Sequence, residues 1–92
     1  MIRSFRDRDT DELFRRLVSR HWAAIACVAL RRLRLLHRAR TLSDLRVPPG
    51  NHLEALPKER AGQHSIRVND QYRICFRWED GDAYEVELTD YH

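Results

Sequence analysis

Apolar residues recur every three or four positions in the first half of this chain and every second position in its last third. After Asp9 and Glu12, whose spacing resembles a capping box, Leu13, Phe14 and Leu17 fall at helical intervals. Trp22, Ile25, Ala26, Ala29, Leu33 and Leu36 repeat that period and predict a longer helix, surrounded by Arg31, Arg32, Arg34 and Arg38. The two helices are expected to run antiparallel, joined near Ser19-Arg20-His21. Pro48-Pro49-Gly50 ends the helical half.

Strand patterns follow. Leu53 and Leu56 bracket a short strand. Ile66 and Val68 alternate with Ser65, Arg67 and Asn69, and Tyr72, Ile74, Phe76 and Trp78 alternate with Arg73, Cys75 and Arg77. Tyr84, Val86 and Leu88 alternate with Glu85, Glu87 and Thr89. Asn69-Asp70 and Asp80-Gly81 sit where hairpin turns need residues that tolerate positive φ. Ile2, Ser4 and Phe5 suggest a further short strand at the start. The fold class is α+β: two N-terminal helices packed on a twisted antiparallel β-sheet, in one domain over residues 1–92.

Alternation carries a functional corollary. With Ile66, Val68, Ile74 and Phe76 facing the helices, Arg67, Arg73 and Arg77 point to the opposite face. Arginines gathered on a rigid sheet face suit a phosphate platform. Cross-strand pairing with Glu85 and Glu87 is the structural alternative, expected chiefly for Arg77.

Charge sharpens this picture. Residues 1–46 hold 12 arginines against 5 acidic residues, a balance of +7. Residues 47–92 hold 5 basic and 9 acidic residues, a balance of −4. A cationic half suits RNA or an acidic protein partner, but it also fits an arginine-rich helix with a solvated face, and charge alone does not choose. No apolar run approaches the ~18 residues of a membrane span, and the N-terminus lacks the apolar stretch of a signal peptide. Cys27 and Cys75 form no CxxC pair and sit among apolar neighbours, so both are expected to be buried, reduced thiols in a cytoplasmic protein. No His/Cys spacing suggests zinc, and no cofactor is expected.

Several residues in order resemble one family. These are Pro49-Gly50, Leu53, Leu56, Ser65-Ile66-Arg67-Val68-Asn69, Tyr72-Arg73-Ile74, Phe76 through Tyr84, and the final Asp90-Tyr91-His92. The set is similar to the HigB toxins, the killer-protein family of the RelE/ParE superfamily, over almost the whole chain. The resemblance implies a microbial ribonuclease-like fold and cleavage of mRNA on the 70S ribosome. It also implies silencing by a HigA-like helix-turn-helix antitoxin, through which the complex reaches operator DNA. In such toxins a terminal Asp-Tyr-His and sheet arginines support cleavage, matched here by Asp90, Tyr91, His92, Arg67 and Arg73. A family histidine and lysine do not match: counting back from Ser65, the histidine falls on Glu54 and the lysine at or beside Pro57, next to Lys58. His52 lies two residues before Glu54.

Metal-free RNA cleavage needs a base for the 2′-OH proton, cations for the phosphorane and an acid for the 5′-oxygen. That chemistry casts Glu54 as base with His52 as its alternative, and the resemblance supports His92 as acid, Arg67 and Arg73 as clamp, Tyr91 as a stacking or orienting group, and Asp90 as orienting His92 or an arginine. His52, Lys58, Arg31, Arg34 and Arg38 are candidates for RNA or ribosome binding, the helix arginines also for the antitoxin. Each has a bland reading: a frayed tail for His92, rim packing for Tyr91, an ion pair with Arg67 or Arg73 for Glu54. His21 and His37 read as surface or cap residues, and His64 as a flank of the hairpin. The rival functions are a gyrase-targeting ParE-like toxin and an inactive homologue that only binds.

Overall fold

Asp7, two residues before the predicted cap, starts the first helix in the computed structural model, which describes residues 1–16 and 22–90. Its carboxylate accepts hydrogen bonds from the Thr10 amide at 2.9 Å and the Thr10 hydroxyl at 2.7 Å, opening α1 over Arg8–Arg16. Glu12 pairs instead with Arg8, 3.1 Å away. The Thr10 oxygen accepts in turn from the Leu88 amide at 3.1 Å, so one buried hydroxyl joins the helix cap to the last strand. The predicted joint at Ser19-Arg20-His21, with Leu17, lies outside the described residues.

The second helix, α2, spans Ala26–Arg38. Trp22 and Ile25 belong to a turn before it, closed by Ile25 N–H to the Trp22 carbonyl at 2.9 Å. Ala29, Leu33 and Leu36 form its buried stripe. Exposure of Cys27 on the outer side corrects the expectation of two buried thiols; only Cys75 is buried, which pushes its thiol pKa up. His37 is also more than a surface residue. Its Nδ1 accepts the Ile2 amide at 3.1 Å and its ring lies 5.2 Å from that of Phe14.

Four strands are found among the described residues: β1 (Glu54–Ala55), β2 (Gln63–Arg67), β3 (Tyr72–Glu79) and β4 (Asp82–Asp90), antiparallel in the order β1-β2-β3-β4. Ile66, Ile74, Phe76 and Val86 meet Leu13, Leu33, Leu36 and Leu45 in a fully buried core, as the α+β expectation required. Residues 1–6 make isolated parallel bridges to the outer edge of β4, at Ile2 with Ala83 and Phe5 with Val86, instead of a regular strand.

Asp80-Gly81 takes φ of 50° and 83° in a two-residue hairpin loop, where a right-handed sheet favours the left-handed pair. The Asn69-Asp70 loop works otherwise. Neither residue is left-handed; the Asn69 side chain accepts from the Gln71 and Tyr72 amides at 2.8 and 2.7 Å. Glu85, at φ 53°, sits in a bulge that shifts the β3–β4 register between Cys75 and Arg77. Ala83 rather than Tyr84 therefore joins Val86 and Leu88 in the core.

Candidate active site

Register assembles the outer face of the sheet in rows. Glu54 pairs with Ser65, Ser65 with Cys75, and Cys75 with Glu87. In the next row Arg67 pairs with Arg73 and Arg73 with Thr89. Partners across an antiparallel ladder share a face. Glu54, Arg67 and Arg73 therefore share the face opposite the helices, where alternation put the two arginines.

The two arginines are held differently. Arg67 pairs with the fully exposed Asp70, and its backbone carbonyl accepts from Arg32 Nε at 3.2 Å. Arg73 donates Nε to the buried Ser65 hydroxyl at 2.7 Å, and Nη2 to the carbonyls of Ser65 and His52. All three acceptors are neutral oxygens. The guanidinium is thus fixed in direction while its charge stays uncompensated by a carboxylate among the described residues. Arg67 and Arg73 stand opposite each other in the register, a like-charge pair that favours a bound anion, with Asp70 already offsetting Arg67.

His52 joins this group through its carbonyl, in a left-handed conformation (φ 44°) after the 3-10 turn Pro49–Asn51. Buried Asn51 anchors the turn, donating Nδ2 to the Leu45 and Val47 carbonyls at 3.1 and 3.2 Å, beside a cis Val47–Pro48 bond. Exposed Glu54 makes no ion pair with Arg67 or Arg73, so the bland reading of it as their structural partner does not hold.

Other candidates lie elsewhere. Lys58, at φ 54°, lines a separate cleft of about 250 Å³ with Pro57, Glu59 and Arg60. Asp90 pairs across the ladder with Tyr72, one residue out of phase with Thr89, and accepts from Gln71 Nε2 at 3.1 Å. It sits on the opposite side of β4 from Arg73. Tyr91 and His92 lie outside the described residues. Arg31, Arg34 and Arg38 project from exposed positions on α2. Arg77 is paired with Glu85 at 2.6 Å, as expected.

Two features escaped the sequence reading. Ser65 orients Arg73; its position two residues before Arg67 in the alternating run was the available signal. Arg60 reaches the Gln63 and Glu87 side chains at 3.2 and 3.1 Å, neutralising the far end of this face. Among the described residues no group of His, Cys, Asp and Glu is arranged to hold a metal ion. What remains is a cationic, hydrogen-bonded surface with one open carboxylate, suited to a phosphodiester and proton transfer beside it.

Residues 3–92 match the family described as the RelE-like toxin of type II toxin–antitoxin system HigB. Toxin HigB-1 of Vibrio cholerae is 46% identical over 66 residues, covering 72% of this chain and 70% of that protein. An uncharacterised protein of Haemophilus influenzae is 38% identical over 61 residues, covering 66% of this chain and 60% of that one.

Proposed function

This chain belongs to the HigB-like family of RelE-like toxins of type II toxin–antitoxin systems, and we propose that it is a ribosome-dependent endoribonuclease that cuts mRNA without a metal. The observation that carries this reading is Arg73, locked by Ser65 and His52 with its charge unspent beside Arg67. Such a pair fits the scissile phosphate and the negative charge that grows on it during in-line attack. Glu54 takes the 2′-OH proton, the 2′-oxygen attacks phosphorus, and His92 protonates the departing 5′-oxygen. Tyr91 stacks on a base. Asp90, which accepts from Gln71, orients His92.

The partner in this reading is a HigA-like antitoxin that binds operator DNA, and the site of action is the cytoplasm. Among the described residues no helix is long and apolar enough to cross a membrane. With one carboxylate left unpaired and no close histidine pair among the described residues of this face, the ribosome supplies much of the positioning.

Cleavage of ribosome-bound mRNA tests the proposal. Glu54→Gln lowers the rate by roughly 10²–10⁴-fold, the scale for losing one acid–base group, and His52→Ala costs less. Products carry a 2′,3′-cyclic phosphate and a 5′-OH. A 5′-phosphate product excludes this mechanism. Gyrase-dependent DNA damage without RNA cleavage assigns the toxin to the other activity of the superfamily.

A further inference from the structure

Along α2 runs a groove of about 320 Å³, lined by Arg31, Arg32, Arg34, Leu35, Arg38 and Pro48. Its lining contains four guanidinium groups and no carboxylate, and α2 itself carries no acidic residue. Arg31, Arg34 and Arg38 are exposed and have no carboxylate partner among the described residues. Like charges three and four positions apart on a helix destabilise it. The fold retains that cost, and an anion lying in the groove removes it.

Two connections join this groove to the candidate active site. Arg32 lines the groove and donates Nε to the Arg67 carbonyl. The segment 48–52 borders both, with Pro48 in the groove and the His52 carbonyl on Arg73. Positive charge therefore continues from Arg38 and Arg34 through Arg31 and Arg32 to Arg67 and Arg73, past the Arg67 end of β2, beyond the stretch that β1 pairs with at His64 and Ser65. Leu35 and Pro48 give the groove an apolar floor for a ribose or a base face between the flanking cations.

We propose that the groove on α2 continues the active site as a track for single-stranded RNA, holding the phosphates of nucleotides beyond the one that is cut. The proposal rests on the reading of Arg67 and Arg73 as the phosphate site. A continuous track favours a polyanion that runs through both regions over an acidic protein segment confined to the helix. Guanidinium groups neutralise the phosphates, and counterion release makes the interaction steeply salt-dependent.

Binding of labelled 2′-O-methyl oligouridines of 4 and 12 nucleotides, which offer no free 2′-OH, tests the track by fluorescence anisotropy across a salt series. The wild-type chain is expected to bind the 12-mer at least ~10-fold more tightly than the 4-mer, with a steeper salt dependence. Arg34→Gln with Arg38→Gln removes that advantage and lowers the 12-mer's log–log salt slope by about 1.4, roughly 0.7 per lost phosphate contact, while 4-mer binding is retained. An unchanged thermal melting curve shows that the double variant folds. Arg73→Ala has the opposite signature, weakening both lengths together. Equal affinity for the two lengths, or an unchanged 12-mer slope in the double variant, overturns the track and leaves the phosphate site standing. Loss only of binding to an acidic, glutamate-rich helical peptide, with RNA binding intact, assigns the groove to a protein instead. If Arg73→Ala changes neither length, the phosphate site itself fails, and the track fails with it.

Discussion

Ser65→Ala is the most informative single substitution in this protein. The Ser65 hydroxyl is fully buried and accepts Arg73 Nε at 2.7 Å. A hydrogen bond to a charged group contributes about 1.5–3 kcal/mol. The alanine removes that restraint but leaves the charge, so the guanidinium samples several directions instead of one. If the whole amount is felt in the transition state, at 1.36 kcal/mol per tenfold, cleavage falls roughly 10- to 150-fold. Stability falls less, by about 1 kcal/mol, because half-buried Arg73 still reaches water and the His52 carbonyl. Single-turnover cleavage of ribosome-bound mRNA measures the rate, and denaturant unfolding measures the stability. A double-mutant cycle isolates the mechanism. In an Arg73→Ala background, Ser65→Ala should cost little further, because its only route to the phosphate is gone. Ser65→Thr, which keeps the hydroxyl, should recover part of the rate. Additive losses in the cycle, or full activity in a folded Ser65→Ala protein, refute the assignment of Ser65 as a positioning residue.

Two further tests concern the scaffold. Burial and the nearby positive N-terminus lower the His37 pKa, and its Nδ1 is committed as acceptor from Ile2. The unfolded chain therefore binds a proton more readily near pH 6.5. Stability is expected to be fully present above that pH and to decline as pH falls below it; urea titrations from pH 7.5 to 5 should show this slope reduced in His37→Gln. Thr10→Val should leave the Leu88 amide without its acceptor and weaken the α1 cap, costing about 1–3 kcal/mol. On a domain of this size that lowers Tm by roughly 4–24 °C, with faster exchange at the Leu88 amide.

The elements that were legible in the sequence are those fixed by local rules. Periodicity located both helices and the three longer strands, Asp80-Gly81 announced its hairpin, and alternation put Arg67 and Arg73 on one face. What was not legible depends on contacts distant in sequence. Thr10 is claimed by both Asp7 and Leu88, which moves the start of α1 ahead of the Asp9–Glu12 pattern. The Glu85 bulge inserts one residue and exchanges Tyr84 for Ala83 in the core. His37 becomes an acceptor only because residues 1–6 fold back on it. Of the candidate site, the arginines were readable from alternation and Glu54 only through the family resemblance, whereas Ser65 required knowing which partner the Arg73 fork would find.

The same return of residues 1–6 to β4 predicts an order of assembly. Arg3 and Arg6 donate to the Ala83 and Val86 carbonyls at 2.8 and 3.0 Å, and the Ala83 and Val86 amides donate to Met1 and Ser4 at 2.9 and 3.0 Å. Each bond closes a loop of roughly eighty residues, whose entropy is lost before any contact compensates it. The β2–β3–β4 meander needs no such closure, and α2 closes on it through loops roughly half as long, so Ile66, Ile74 and Phe76 are expected to be buried against Leu33 and Leu36 first. Residues 1–6 are then expected to be among the last to lock, next to α1, which the Thr10 hydroxyl ties to Leu88. Until they do, the outer edge of β4 stays open to other strands, so the interval between synthesis of Asp90 and capture of Met1–Arg6 is when a nascent molecule is most prone to pair with its neighbours.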